Sequence, residues 1–353
     1  VSFRNCTSDF QQQRSTMSTA PYIILQDTIV DSNVTFTGIT INSSVNNSHD
    51  TFLRVAEDAT SSNFIFDHVV WNGNADSGEC IAFWFTGNTI DATSSLQFTD
   101  IDMSCTTRVK AAGVVFINAR VMAPITIQRM RFFANSTNPQ DTPAFLYNRG
   151  SQVHGLSMSD SQVTVLNMDG TCIFAYFFGG TLEQHDFPIS NIDVADTTIR
   201  LVGSSDPSSL YLRHLQNSTL VFRNTTLNIT YPENTQDGLS TIGAQITVSN
   251  VQNVDIQFTN SVVASSYTMA AASLLQLINY TSGLSLTLRD TDIRLQSIDV
   301  FMIRLRSTIT DVNVTIHDST VQLLFGGRFA YVLGVISNVD TTTAGGKARV
   351  AFK

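Results

Sequence analysis

An eight-residue pattern, apolar-x-apolar-x-turn-x-x-apolar, recurs along this chain and restricts it to a repeating all-β architecture. It reads VTFTGITI from Val34, FIFDHVVW from Phe64, LQFTDIDM from Leu96, ITIQRMRF from Ile125 and LSMSDSQV from Leu156. It continues as IDVADTTI from Ile192, LVFRNTTL from Leu220, IQFTNSVV from Ile256, LTLRDTDI from Leu286 and VTIHDSTV from Val314. With the third residue as anchor, the copies fall at Phe36, Phe66, Phe98, Ile127, Met158, Val194, Phe222, Phe258, Leu288 and Ile316, on average about 31 residues apart. Asp or Asn stands two residues after seven of these anchors, at Asp100, Asp160, Asp196, Asn224, Asn260, Asp290 and Asp318.

Strand side chains alternate between faces, so the anchor and the residue two before it point the same way. The apolar residue five after the anchor has the opposite parity and returns inward only if the chain bends sharply between them. Asp and Asn suit that bend because they tolerate left-handed backbone angles and bond nearby amides. A third apolar segment follows in most repeats: CIAFWF from Cys80, VVFINA from Val114, AFLYN from Ala144, CIFAYFF from Cys172, LYLRHL from Leu210, LLQLIN from Leu274, VFMIRL from Val300 and FAYVLGVI from Phe329. Two or three short strands per repeat describe one turn of a parallel β-solenoid, for which right-handed winding is expected. Each turn covers its neighbour, so the stack behaves as a one-dimensional array.

The pattern also fits Phe3 and Phe352, which predicts a right-handed parallel β-helix of about eleven turns running continuously over residues 1–353. At about 4.8 Å per turn this is a rod of roughly 50 Å. Neither end carries a recognisable polar cap, so the expectation is a segment of a longer solenoid, or subunits that stack end to end.

Composition agrees with this architecture. Ser and Thr number 79 and Asn 25, while Asp outnumbers Glu 25 to 4 and Lys occurs only 3 times, a texture of turns and strands rather than of soluble helices. The net charge of -9 and the scattered Arg argue against nucleic acid as a partner. No apolar run reaches the roughly 18 residues of a membrane-spanning helix. Ten Asn-x-Ser/Thr sequons, at Asn5, Asn33, Asn42, Asn46, Asn135, Asn217, Asn224, Asn228, Asn279 and Asn313, are about twice what chance gives and point to N-glycans and an extracellular, secreted location. Asn5 and Asn224 are corner residues as well as sequons. Either the corner faces inward and they carry no glycan, or it faces out; the residues leave both open.

Of the four cysteines, Cys80 and Cys105 are the disulfide candidates, being 25 residues apart and less than one turn. Cys80 and Cys172 share a place in their turns but stand three turns apart, beyond disulfide reach. Cys6 and Cys172 could bond other chains or remain thiols, and burial suits Cys172 in its apolar run.

The repeat resembles the right-handed parallel β-helix proteins of the pectin-lyase-like superfamily along essentially the whole chain. The Ser/Thr/Asn-rich, Lys-poor texture also resembles repetitive surface glycoproteins of protists, such as the dispersed-gene-family proteins of kinetoplastids. The superfamily resemblance implies a possible polysaccharide lyase or hydrolase, or a carbohydrate-binding module. Of the hydrolase motifs, however, His154-Gly155 is present but Asp-Asp and Asn-Thr-Asp are absent, so the paired carboxylates for acid and base catalysis are missing.

Other constellations are weaker. Asp100-x-Asp102 and Asp290-x-Asp292 could hold calcium, but no second oxygen-rich segment recurs beside them, and solvated turns explain them better. His185-Asp186 lies in the longest insertion, without an activated nucleophile. The anchor phenylalanines could offer a sugar platform, but their parity points them into a core. We therefore expect no catalytic residue, metal or cofactor. The expected protein is an extracellular, glycosylated, structural or adhesive solenoid of a cell surface or filamentous appendage, self-associating or joined to other surface proteins.

Overall fold

The structure is a computed structural model that describes residues 2–12, 19–25, 28–45, 49–109, 111–138, 142–168, 170–178, 190–203, 208–230, 242–266, 271–305, 309–335 and 348–352. The described residues contain strands and no helix, and the 32 strands join one sheet in which the register pairings are parallel. The chain is an all-β parallel solenoid, as the repeat predicts.

Each anchor lies directly over the next. Phe3 pairs with Phe36, Phe36 with Phe66, Phe66 with Phe98 and Phe98 with Ile127. The column runs on through Met158, Val194, Phe222, Phe258, Leu288 and Ile316 to Phe352. The packed body amounts to about 8 turns, slightly fewer than the eleven expected. The outermost turns contribute strands whose side chains are largely outside the described residues.

Three faces build each turn. The first carries the anchor, the second follows the bend, and the third is the additional apolar segment. Ser95–Thr107 shows the bend within one continuous strand: Phe98 is buried, Asp100 has φ 54° and Met103 is buried again. All seven predicted Asp and Asn corners have φ between 47° and 54°. Gly38, His68 and Arg129 occupy the same corner in turns lacking Asp or Asn, with φ of 64°, 52° and 53°. The parallel ladder continues into the bend, where the corner amide of Asp196 donates to the carbonyl of Arg223 and that of Asn224 to the carbonyl of Thr259.

Inside, like stacks on like. Phe36, Phe66 and Phe98 form a parallel column with centroids 5.1 and 4.9 Å apart, and Phe222 lies 4.7 Å from Phe258. The anchor phenylalanines are thus core and not a surface platform. The third face is irregular in a constant way. Its register omits one residue per turn, at Phe52, Ala82, Gly113, Phe145, Phe174, Leu274 and Met302, and that residue bulges into the core. Ser209 and Gln245 occupy the same buried column, where the Ser209 hydroxyl donates to Gln245 Oε1 at 2.6 Å.

Candidate functional surfaces

The corners face solvent, which resolves the question that Asn5 and Asn224 raise. Both are exposed, as are Asp160, Asp196, Asn260, Asp290 and Asp318. Behind them a column of hydroxyls faces inward: Ser161, Thr197, Thr225, Ser261 and Thr291 are buried one residue after each corner. Ser261 Oγ donates to the carbonyl of Thr259 at 2.9 Å and accepts the amide of Thr225 at 3.2 Å. Ser161 does the same with Ser159 and Met130. This column is the acceptor for amides that the bend turns away from the ladder. Its signal in the sequence is the Ser or Thr that follows six of the seven Asp or Asn corners, all but Asp100, a position the apolar pattern leaves unmarked.

Charged residues at the corner pair across turns. Arg129 Nε and Nη2 donate to Asp100 at 2.6 and 2.9 Å, holding its carboxyl below the ordinary range. His68 Nδ1 is 2.7 Å from Asp67, and its Nε2 is 3.7 Å from Asp100. Asp67, His68 and Asp100 are close enough together for a metal, yet Asp100 already has both oxygens engaged by a guanidinium. Asp102 is exposed on the second face, and Asp292 pairs with Arg294.

On the outer side of the first face, small residues at four successive turns leave a groove of about 490 Å³. Thr126, Ser157, Asp193 and Val221 form one column along it, and Pro124, Gly155, Asn191 and Thr219 the other. Asp193 Oδ2 accepts from Arg223 Nη2 at 2.5 Å, one turn on. Of the His154-Gly155 pair, Gly155 lines the groove and His154 is exposed, its carbonyl accepting from Asn191.

The outer third face carries an aromatic stack that sequence reasoning missed. Tyr147, Tyr176 and Tyr211 lie in register, with centroids 5.1 Å apart at each step and planes within 14°. Burial, and then its neighbours Tyr147 and Tyr211, push the Tyr176 hydroxyl up to about 12. Trp84 continues the column two turns earlier, under the guanidinium of Arg54 at 4.9 Å. Because the ring faces cover one another, the stack presents edges, not a flat platform.

Nine of the ten sequon asparagines are described. Asn5, Asn33, Asn42, Asn217, Asn224, Asn228, Asn279 and Asn313 are exposed and Asn135 is half-buried. Asn46 and His185-Asp186 lie outside the described residues. Cys80 and Cys105 form a disulfide, with Cα atoms 5.7 Å apart, joining a third-face strand to the second face of the next turn. Cys6 is exposed, while Cys172 is buried, and burial pushes its thiol up. Among the described residues, no helix is long and apolar enough to cross a membrane. No protein-family model, no curated protein and no solved structure matches the chain.

Proposed function

We propose that this chain is a non-catalytic, N-glycosylated extracellular solenoid that serves as a structural or adhesive element of a cell surface or filamentous appendage. The reading rests on how its asparagines are sorted. The three buried asparagines among the described residues, Asn88, Asn148 and Asn167, all lack the sequon, whereas the nine described sequon asparagines stand at exposed or half-buried positions. A glycan can be carried at such positions without displacing the core, and glycans on several sides would leave the loops and corners as the contact surface. The resemblance in texture to protist surface glycoproteins points the same way. Partners in this reading are other copies, end to end, or neighbouring surface and appendage proteins.

The test is to isolate native material and compare its mass before and after enzymatic removal of N-glycans, with electron microscopy of the same sample. A mass loss equal to several glycans, together with rods or filaments, is the expected result. Native protein with every sequon bare would remove the basis of the proposal.

A second reading, a polysaccharide-active or carbohydrate-binding solenoid, draws on the groove beside Asp193 and Arg223. Calorimetry against neutral and acidic oligosaccharides distinguishes the two. Binding that disappears in Asp193→Asn would favour this second reading, and oligosaccharide turnover lost in the same variant would make the chain an enzyme.

A further inference from the structure

Asp50 is the one buried carboxylate among the described residues, with 1% of its surface exposed. Its surroundings come from four strands. Ser43 Oγ lies 2.9 and 2.8 Å from its two oxygens, and the amide of Asn74 donates to Oδ2 at 2.9 Å. Trp71 Nε1 donates to Ser43 Oγ at 3.0 Å, so the carboxyl, the hydroxyl and the indole form one buried chain. Cys80 is the register neighbour of Asp50 on the next turn and carries the disulfide to Cys105.

Among the described residues, no cation joins this group. The strand Asn33–Val45 contributes no titratable residue. On Asn63–Ala75, Asp67 and His68 belong to the distant corner, and the following Asp76 is paired outside with Arg108. On Cys80–Thr86 the cysteine is in the disulfide, and Glu79 just before it offers Asp50 its backbone carbonyl. Arg54, on the same strand as Asp50, faces outward over Trp84. Asp100 and Asp102 of Ser95–Thr107 lie at or beyond the corner on the outer side. Tyr22 belongs to the paired strand Thr19–Leu25 and His49 opens Asp50's own strand, both with side chains outside the described set. A carboxylate here has two hydrogen-bond donors and an apolar surround of Phe52 and Trp71.

We propose that Asp50 is an acid-responsive clamp, holding the turns around Ser43, Trp71, Asn74 and the Cys80–Cys105 disulfide most firmly when its carboxyl carries a proton and loosening them when it ionises. The physical cause is desolvation, which penalises the charged form and which two neutral donors only partly offset. Burial accordingly raises this carboxyl from 3.8 to about 6. Because the folded chain holds the proton more tightly than the unfolded chain does, the stabilisation is complete below about pH 4 and is lost as pH rises through about 6. Over that window the folding equilibrium constant falls by about a hundredfold. The clamp is independent of whether the chain is glycosylated or binds sugar.

The chain contains two tryptophans, so Trp84→Phe leaves Trp71 as the sole reporter beside the clamp. Its emission is expected to titrate with a midpoint near pH 6 and to become flat in Trp84→Phe/Asp50→Asn. The thermal midpoint of the unmodified chain should fall between pH 5 and pH 7.5, and Asp50→Asn should lose that dependence. Flat Trp71 emission between pH 4.5 and 7.5 in the single variant overturns the proposal, as does an unchanged pH profile in Asp50→Asn. Should the asparagine variant fail to fold, the single-tryptophan titration with native Asp50 decides alone.

Discussion

At the corner, two neighbouring residues make opposite demands. Asn260 needs only a backbone that tolerates φ of 52°, whereas Ser261 must supply a buried oxygen to the Thr225 amide. Asn260→Ala should cost about 1 kcal/mol through left-handed strain, with Asn260→Gly close to neutral. Ser261→Ala should cost more, about 2 kcal/mol, because it strands a buried amide, and Ser261→Thr should restore most of the loss. Urea unfolding of the four variants measures the order, and a smaller loss at Ser261 than at Asn260 would show that the bend, not the hydroxyl column, limits stability. The corner was legible because Asp and Asn announce positive φ. Arg129 was not, since Arg is rare in that conformation, and His68, although His enters it more readily, carries no turn signature of the Asp or Asn kind.

Elements of the first and second faces could be read almost residue by residue, because their period of two and the anchor column agree. The third face could not. Its omitted residue breaks the alternation, so Phe145 and Phe174 point inward although Tyr147 and Tyr176, two residues on, point out. A period-of-two reading assigns such neighbours to the same side, which hid the tyrosine stack and the place of Gln245 in the core. The bulge column is also tightly filled: a Cβ at Gly113 would lie 2.7 Å from Phe145 Cδ2 and 2.8 Å from its carbonyl oxygen. Gly113→Ala is expected to destabilise by about 1–3 kcal/mol through overpacking, and combining it with Phe145→Leu should recover part of that in thermal unfolding. Within the outer stack, raising the Tyr176 hydroxyl to about 12 means that folding opposes its ionisation. Stability from this group is present below about pH 10 and is lost as pH rises through about 12, so Tyr176→Phe should flatten the alkaline limb of the unfolding profile.

For the whole molecule, stability is a sum over neighbouring turns, and local defects remain local. The disulfide closes a stretch of 25 residues, and replacing both cysteines by serine should cost about 3 kcal/mol on the loop-entropy estimate, with the loss confined to the turns around Cys80 and Cys105 in hydrogen exchange. Uniform loss of protection along the chain would mean instead that the solenoid unfolds as one unit. Function was far less legible than architecture, because exposed polar residues on a solenoid serve turns, ladders and glycans alike. The stacking geometry has one further consequence, under tension. Every turn is held to the next by hydrogen bonds that lie along the axis, so a pull on the two termini opens them one rung at a time, like a zip. Each released turn of about 31 residues would lengthen the tether by roughly 100 Å, giving an evenly spaced sawtooth in a force-extension trace. The turn locked by Cys80 and Cys105 would give a step shorter by roughly 80 Å until a reductant restored it to the common length.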